Sequence, residues 1–320
     1  KYCIHGKSEE HSLEALEVLS ELGASMPTLD ELIGQIEKFV QNGRYANEPH
    51  VVDVIIPIVC SYLPFWWSQG PDNVNVTGEN YITMVTTEHL NSMFKTILNL
   101  IGNNIGVRNA NWMTTIASHA GQIIINSSDT LLADPILPLT EKIHARAESA
   151  YHNEDMMRGF LKSSTEDTAD AETQIQEEFA ILARDLYALY PLLIKYVDIQ
   201  RAHWLKQNNP QAERIFYCGS TIFNIWLKSQ FFRREEQNFI ASNDIDNMAL
   251  IMPSSGRGGR LSSNVKADTS QSSSSRKVKK KRDGKRDKDK ELAASLIVAC
   301  LKRLLPVGLN LFAGREQELV

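Results

Sequence analysis

Residues 171–206, AETQIQEEFAILARDLYALYPLLIKYVDIQRAHWLK, decide the fold of this chain. Apolar side chains recur in this segment at steps of three and four residues, which is the spacing of one face of an α-helix. Because a proline removes a backbone donor and collides with the preceding turn, we expect Pro191 to kink or divide that helix. The periodic apolar residues are Ile175, Phe179, Leu182, Leu186, Leu189, Leu193 and Val197.

Similar patterns before and after this segment predict further helices, and strand patterns are nearly absent. Thr28 and Glu31 have the spacing of a capping box, and Gly43 is a typical helix terminator. Segment 51–60 is rich in Val and Ile, but Pro57 would remove a ladder hydrogen bond, so we interpret the segment as a buried, kinked helix. Other helices are predicted at 12–22, 90–101, 112–125, 129–150, 210–231, 233–251 and 292–312.

These helices predict an all-α fold in which antiparallel helix pairs stack as an armadillo- or HEAT-like α-solenoid. We expect residues 1–252 to form the solenoid body. Residues 253–289 are rich in serine and basic residues and hold almost no large apolar side chain, which predicts one long disordered loop. Residues 290–320 regain helical spacing and are expected to form a helix that docks back on the body.

The charge of the chain is unevenly distributed. Residues 276–290 contain ten Lys or Arg and three Asp, which leaves 24 basic and 36 acidic residues elsewhere and a balance of -12. The four cysteines, Cys3, Cys60, Cys218 and Cys300, are scattered, which favours a reducing compartment. No segment is expected to span a bilayer, because the apolar run 51–63 is short and contains Asp53. The start at Lys1 rather than Met leads us to expect a piece of a larger protein.

The sequence lacks the patterns of the common catalytic and cofactor sites, so we predict neither an enzyme nor a bound cofactor. No phosphate-binding loop, nucleophile elbow or paired-cysteine zinc spacing occurs. Glu141 and His144 have the spacing used in di-iron bundles, but no second copy is found, and an exposed helix face is the simpler interpretation. Asp244 and Asp246 lack the glycine and glutamate of a calcium-binding loop.

The basic part of the loop is a candidate docking site. We consider four interpretations: a solvated linker, docking to an acidic protein or to anionic lipid head groups, nuclear import, and nucleic-acid binding. Nucleic-acid binding is disfavoured because no aromatic residue alternates with the charges and the rest of the chain is acidic. The candidate residues are Arg276, Lys277, Lys279, Lys280, Lys281, Arg282, Lys285 and Arg286.

Ser262 and Ser263 form a candidate phosphorylation site. Arg257 and Arg260 precede them, as basophilic kinases prefer, and a phosphate would add about -1.5 to -2 charges beside the basic residues. We therefore expect a kinase to modify this loop. Phosphopeptide mapping of the protein from stimulated cells checks this, and finding both serines unmodified would remove support for the hypothesis.

Four stretches of the chain resemble the cytoplasmic region of the ryanodine-receptor family of intracellular calcium-release channels, in the order found in that family. Weaker similarity between them extends the resemblance over most of the chain, except for residues 253–290, whose basic composition is closer to invertebrate-type receptors. The stretches are PHVVDVIIPIVCSYLPFWW (49–67), EEFAILARDLYALYPLLIKYVDIQRAHWLK (177–206), RREEQNF (233–239) and SLIVACLKRLLPVGLNLF (295–312).

The resemblance implies a place and a role. The chain is expected to be part of the helical bridging solenoid of a homotetrameric channel, on the cytoplasmic face of the sarcoplasmic or endoplasmic reticulum membrane. It would contact other domains of its own chain and neighbouring subunits, and would relay regulatory signals towards a distant pore. No residue of the family's pore or ligand sites has a counterpart here, and no membrane insertion of this segment is implied.

Two other classes of protein remain open at the level of sequence. The first is a free-standing helical-repeat adaptor whose basic loop directs nuclear import or binds an acidic partner. The second is an enzyme with a catalytic site that no common motif reveals. A pocket with converging charged residues would favour the enzyme.

Overall fold

The structure, a computed structural model, describes residues 27–43, 48–74, 82–163, 169–247, 250 and 295–316. All regular elements in these ranges are helical, so the prediction of an all-α fold is confirmed. The predicted helix at 12–22 and the predicted loop 253–289 lie outside the described residues. The chain divides into two compact units, Lys1–Thr96 and Ile97–Val320.

The described residues of unit 1 form three helices and the start of a fourth. They are α1 (Leu29–Gln41), α2 (Ile56–Ser68) with a π-helical turn before it (Val51–Ile55), α3 (Pro71–Val74) and α4 (Thr87–Asn104). The predicted capping box is confirmed, since the Thr28 amide donates to Glu31 Oε2 at 2.8 Å and the Glu31 amide donates to Thr28 Oγ1 at 3.2 Å. Gly43 follows α1 with a φ of 65°, a conformation that glycine adopts without a steric penalty.

The structure confirms that segment 51–60 is helical, and it corrects two other expectations, that this helix is buried and that no segment is long and apolar enough to span a bilayer. Pro57 lies in the first turn of α2, where its missing N–H is tolerated. The helix is buried on one face only, through Ile56, Val59, Cys60 and Leu63. Together with the π-helical turn it makes a helix, Val51–Ser68, that is long and apolar enough to cross a membrane, with a mean hydropathy of 1.6. The expectation that no segment has this length and composition was therefore wrong.

In unit 2, the residues that the structure describes form the rest of α4 and six further helices. Their bounds are α5 Trp112–Ala120, α6 Leu137–Ser163 preceded by a π-helical turn at Leu132–Ile136, α7 Ala169–Trp204, α8 Pro210–Lys228, α9 Gln230–Ser242 and α10 Leu296–Glu316. The predicted helix 129–150 begins late because Asp134, which precedes Pro135, is extended (φ -152°, ψ 112°). The predicted helix 112–125 ends at Ala120.

Helices α6 and α7 form an antiparallel pair. Asn153 of α6 donates to Glu178 of α7 at 3.0 Å. Nearer the start of α6, Arg146 approaches Asp185 of α7 at 3.9 Å. The residue numbers rise along one helix as they fall along the other, as the predicted helix pairs require.

Equivalent helices of neighbouring pairs stack in parallel. In α7 and α9, the rings of Phe179 and Phe232 lie 5.3 Å apart, and those of Tyr187 and Phe239 also lie 5.3 Å apart. In α6 and α8, Arg214 Nε lies 2.8 Å from Glu141 Oε1. This stacking of antiparallel pairs in parallel layers is the repeat geometry expected of a solenoid.

Helix α10 packs against both α7 and α8. Arg303 Nε donates to both carboxylate oxygens of Asp198 in α7, at 3.0 and 3.1 Å. Against α8, Gly308 leaves room for the ring of Phe216, because an added Cβ would overlap that ring. The absent side chain at Gly308 thus permits the close approach of the two helices.

Helix α7 differs from the prediction in two ways. Pro191 does not divide it, since the helix continues from Ala169 to Trp204. Every residue from Leu182 to Ile194 is buried, so this part is covered all round rather than along one stripe. Packing of α5, α6, α9 and α10 around α7 outweighs the roughly 3 kcal/mol that an interior proline costs a helix.

Candidate functional site: the buried polar contacts of helix α7

The candidate residues of the loop are not placed by the structure. The two serines, Ser262 and Ser263, and the basic residues from Arg276 to Arg286 lie outside the described residues. The hypotheses of phosphorylation and of basic docking therefore stay predictions.

Two aromatic clusters, Phe65 with Trp66 and Trp67 in α2 and four aromatic residues in α7, have the helical spacing that favours a packing role, and the structure separates them. Tyr187, Tyr190, Tyr196 and Trp204 are each at most 3% exposed, so the packing interpretation is confirmed for this cluster. Phe65 of the other cluster is 53% exposed, which contradicts that interpretation for this residue.

Glu141 and His144 have separate partners. Glu141 pairs with Arg214, and the His144 ring packs at 5.7 Å from the ring of Tyr217. Within the described ranges, no three His, Cys, Asp or Glu side chains come together in a group that could hold a metal ion.

A cleft of about 580 Å³ lies beside α7 and is lined in part by Arg108, Glu177 and Arg184. Arg108 and Glu177 pair with each other at 2.8 Å. Arg184 Nη1 donates to the backbone carbonyl of Val107 at 2.6 Å. The charged groups at this cleft therefore bind one another or the backbone.

Arg184 and Asp185 connect the buried part of α7 to the turn that precedes α5. Asp185 Oδ2 accepts a hydrogen bond from the Gly106 amide at 2.9 Å. Arg184 Nη2 donates to Asp185 Oδ1 at 2.6 Å. Burial raises the pKa of Asp185, and the charge of Arg184 opposes that rise. The ion pair is thus built into the packing between α7 and this turn.

Four side chains near the other end of α7 donate hydrogen bonds to the segment that follows α5. Three of them reach backbone carbonyls of that segment, which lies between two helices. The bonds are Lys195 Nζ to Gly121 O at 3.1 Å, Tyr196 Oη to Ser128 O at 2.9 Å, Gln200 Nε2 to Ser127 O at 2.5 Å, and Trp204 Nε1 to Asp129 Oδ1 at 3.0 Å.

We call these two sets of bonds the α7–loop contacts. They hold the connections on both sides of α5, at 106–108 and at 121–129. The α7 residues involved run from Arg184 to Trp204, a distance of about 30 Å at the rise of an α-helix. Helix α5 is therefore attached to α7 before its first residue and after its last.

A second buried polar group, the Glu236 cluster, joins α7, α8, α9 and the start of α10. Glu236 of α9 is 3% exposed, and all three of its partners are neutral donors. They are Trp226 Nε1 at 2.6 Å, Ser295 Oγ at 2.9 Å and Tyr187 Oη at 3.3 Å.

The protonation of Glu236 is set by competing effects. Burial raises the pKa of its carboxyl, and the hydrogen bonds from Ser295, Trp226 and Tyr187 oppose the rise. Ser295 Oγ also accepts from the Ile297 amide at 3.2 Å in the first turn of α10. The carboxyl thus holds the point at which α10 begins, and its burial keeps it from a substrate.

The buried thiols are unsuited to nucleophilic chemistry. Burial raises the pKa of Cys60 to about 12 and that of Cys300 to about 12. Because the thiolate is the reactive form, both behave as small apolar side chains.

The sequence pattern did not predict that Arg184, Asp185 and Glu236 make buried polar contacts. Arg184 and Asp185 stand between Ile181 and Leu186, and a charged pair within an apolar segment is a signal that could have found them. Glu236 carried no such signal, since it lies in the charged stretch RREEQ and its partners come from three other helices. No protein-family model matches the chain.

Replacing Glu236 tests the cluster. Glu236→Leu leaves the buried donors of Trp226, Tyr187 and Ser295 without their acceptor and should lower the free energy of unfolding by about 2 to 5 kcal/mol. Glu236→Gln keeps the shape and can bond all three, because the two hydroxyls can also accept. Urea unfolding measured by circular dichroism gives the free energy of unfolding of both variants. An unchanged value for Glu236→Leu would show that the Glu236 cluster does not stabilise the fold.

The pH dependence gives a second measurement on the same variants. Because the pKa of Glu236 is raised in the folded state, folding favours the protonated acid, and the contribution of Glu236 to stability falls as pH rises above about 4.3. The unfolding free energy of wild type minus that of Glu236→Gln should therefore decrease from pH 4.5 to pH 8. If wild type instead gains stability relative to Glu236→Gln as pH rises, the fold stabilises the ionised carboxylate, and the prediction is contradicted.

Proposed function

We propose that the chain is a non-catalytic scaffold and allosteric-coupling segment of a ryanodine-sensitive calcium-release channel. It acts on the cytoplasmic face of the sarcoplasmic or endoplasmic reticulum membrane as part of a homotetramer. It relays signals from regulatory regions towards a pore located elsewhere in the parent chain.

The family assignment rests on the four stretches quoted above, at 49–67, 177–206, 233–239 and 295–312. They include residues that make buried hydrogen bonds in unit 2, namely Arg184, Glu236 and Ser295. Three of the four stretches thus contribute to the packing of unit 2, and the stretch 49–67 lies in unit 1.

The coupling role rests on one observation: α7 is the shared partner of α5, α6, α9 and α10. The α7–loop contacts attach α5 at both ends, and the Arg303 to Asp198 pair attaches α10. Close-packed helices of this kind reposition as units rather than deform smoothly. A displacement of α5 is thus transmitted along α7 to α10.

The partners follow from this role. They are other domains of the same chain and neighbouring subunits, with regulatory proteins or a kinase acting at the loop 253–289. A scaffold of this kind needs no cofactor, because its work is done by differences in packing between two arrangements of the tetramer.

The test weakens the α7–loop contacts within the intact channel. Tyr196→Phe with Gln200→Leu removes the donors to Ser128 and Ser127, and we expect the half-maximal activating calcium concentration to shift about threefold to thirtyfold. Calcium release from reconstituted channels measures the shift, and single-channel conductance should not change. The matched control is Ile199→Gln, which alters an exposed residue of the same turn.

Two results would contradict the proposal. One is a double variant that assembles normally and shows the same calcium dependence as the control. The other is a parent transcript that encodes only about this length of chain, without membrane spans, which would favour the free-standing adaptor.

A further inference from the structure

Helix α2 has a second apolar face that the structure leaves exposed. We call it the apolar stripe. It consists of Ile58, Tyr62 and Phe65 of α2, which are 51%, 53% and 53% exposed, and Val54 of the π-helical turn before it, which is 49% exposed. At about 100° per residue, Ile58, Tyr62 and Phe65 lie within an arc of about 60° on α2. The stripe is opposite the buried residues Ile56 and Cys60.

A second segment of unit 1 lies beside the C-terminal end of α2. Thr83 Oγ1 donates to Trp66 O at 2.5 Å, and the Ile82 amide donates to Gln69 O at 3.0 Å. Gly70 fixes this approach, because a Cβ there would overlap the Val85 carbonyl. Ile82 and Met84 are 68% and 71% exposed and so add apolar surface beside the end of α2.

The size of this surface indicates a binding function. The four half-exposed side chains of the stripe present roughly 400 Å² of mostly apolar surface, which is the size of the largest apolar patch on a typical monomeric protein, and such patches are often functional. A helix that is apolar on both faces is normally covered on both. The stripe is therefore a surface that a partner covers.

Charge indicates the chemistry of that partner. Residues 45–94 contain five acidic side chains, Glu48, Asp53, Asp72, Glu79 and Glu88, and no Lys or Arg. Helices that lie on membrane surfaces carry Lys or Arg beside their apolar face, which this helix lacks. Complementarity instead favours a protein partner that carries positive charge beside its apolar contact.

We propose that the apolar stripe docks an amphipathic α-helix of a protein partner, with Lys or Arg flanking its apolar face. The i, i+4 ridge formed by Val54, Ile58 and Tyr62 fits the groove between ridges on a second helix. The stacked rings of Tyr62 and Trp66, 5.6 Å apart, give the surface a rigid aromatic part. This inference rests on unit 1 and does not depend on the proposed function.

The test uses the full chain and two synthetic 18-residue helical peptides with the same leucine stripe. One peptide carries two Lys at each end, and the other carries Glu at those positions. Fluorescence anisotropy of the labelled peptides measures the Kd for wild type, for the triple variant Ile58→Gln, Tyr62→Gln, Phe65→Gln, and for a control. The control, Met156→Gln, Ile199→Gln, Leu227→Gln, changes three exposed apolar residues in helices of unit 2.

We expect the triple variant to raise the Kd of the Lys peptide about tenfold or more, and the control to leave it within about twofold. The Glu peptide should bind more weakly than the Lys peptide to wild type, and the difference should shrink as salt is added. Circular dichroism checks that the triple variant keeps the helix content of the control.

Three results would overturn the proposal. Equal Kd values for the triple variant and wild type would exclude the stripe as the docking surface. Binding of wild type but not the triple variant to phosphatidylcholine vesicles, without a preference for the Lys peptide, would identify lipid as the occupant. Dimerisation of wild type that the triple variant abolishes, measured by light scattering, would identify a second copy of the chain.

Discussion

The structure of unit 2 depends on the complete burial of α7 between Leu182 and Ile194. A helix can be buried on every side only if its neighbours supply apolar surface all round and if its polar side chains find partners. In α7 the apolar residues meet α5, α6, α9 and α10, and Arg184 and Asp185 pair with each other and with the turn before α5. Helices α5, α6, α9 and α10 are thus arranged around this one.

Polar contacts and apolar packing have different roles around α7. Apolar burial supplies most of the stabilisation but is non-directional, so it does not by itself fix how far α5 can slide along α7. The α7–loop contacts are directional, and they act on the connecting segments on either side of α5. The Glu236 cluster fixes the position of the start of α10 in the same way, through the bond from Ser295, where the described chain resumes. Direction and register thus come from a small number of buried polar groups.

The sequence predicted the positions of the helices better than it predicted which of their faces are buried and which residues they contact. The period of three and four residues identified α7, and the capping box identified the start of α1, because both signals lie within one segment. The sequence pattern did not predict that α7 would continue through Pro191 or that α2 would be exposed on one face. Both outcomes depend on which other helices lie nearby, and a local pattern does not contain that information. The partners of Glu236 were hidden for the same reason, since Tyr187 and Ser295 lie 49 and 59 residues away.

The central claim is that α5 and the buried part of α7 form one cooperative unit. Native-state hydrogen exchange of the backbone amides, measured over a range of low denaturant concentrations, tests it most directly. The amides of Trp112–Ala120 and of residues 182–197 should exchange through a single opening, with the same free energy and the same denaturant dependence. Exchange of the α5 amides through a separate opening, about 2 kcal/mol or more easier than that of α7, would contradict the claim.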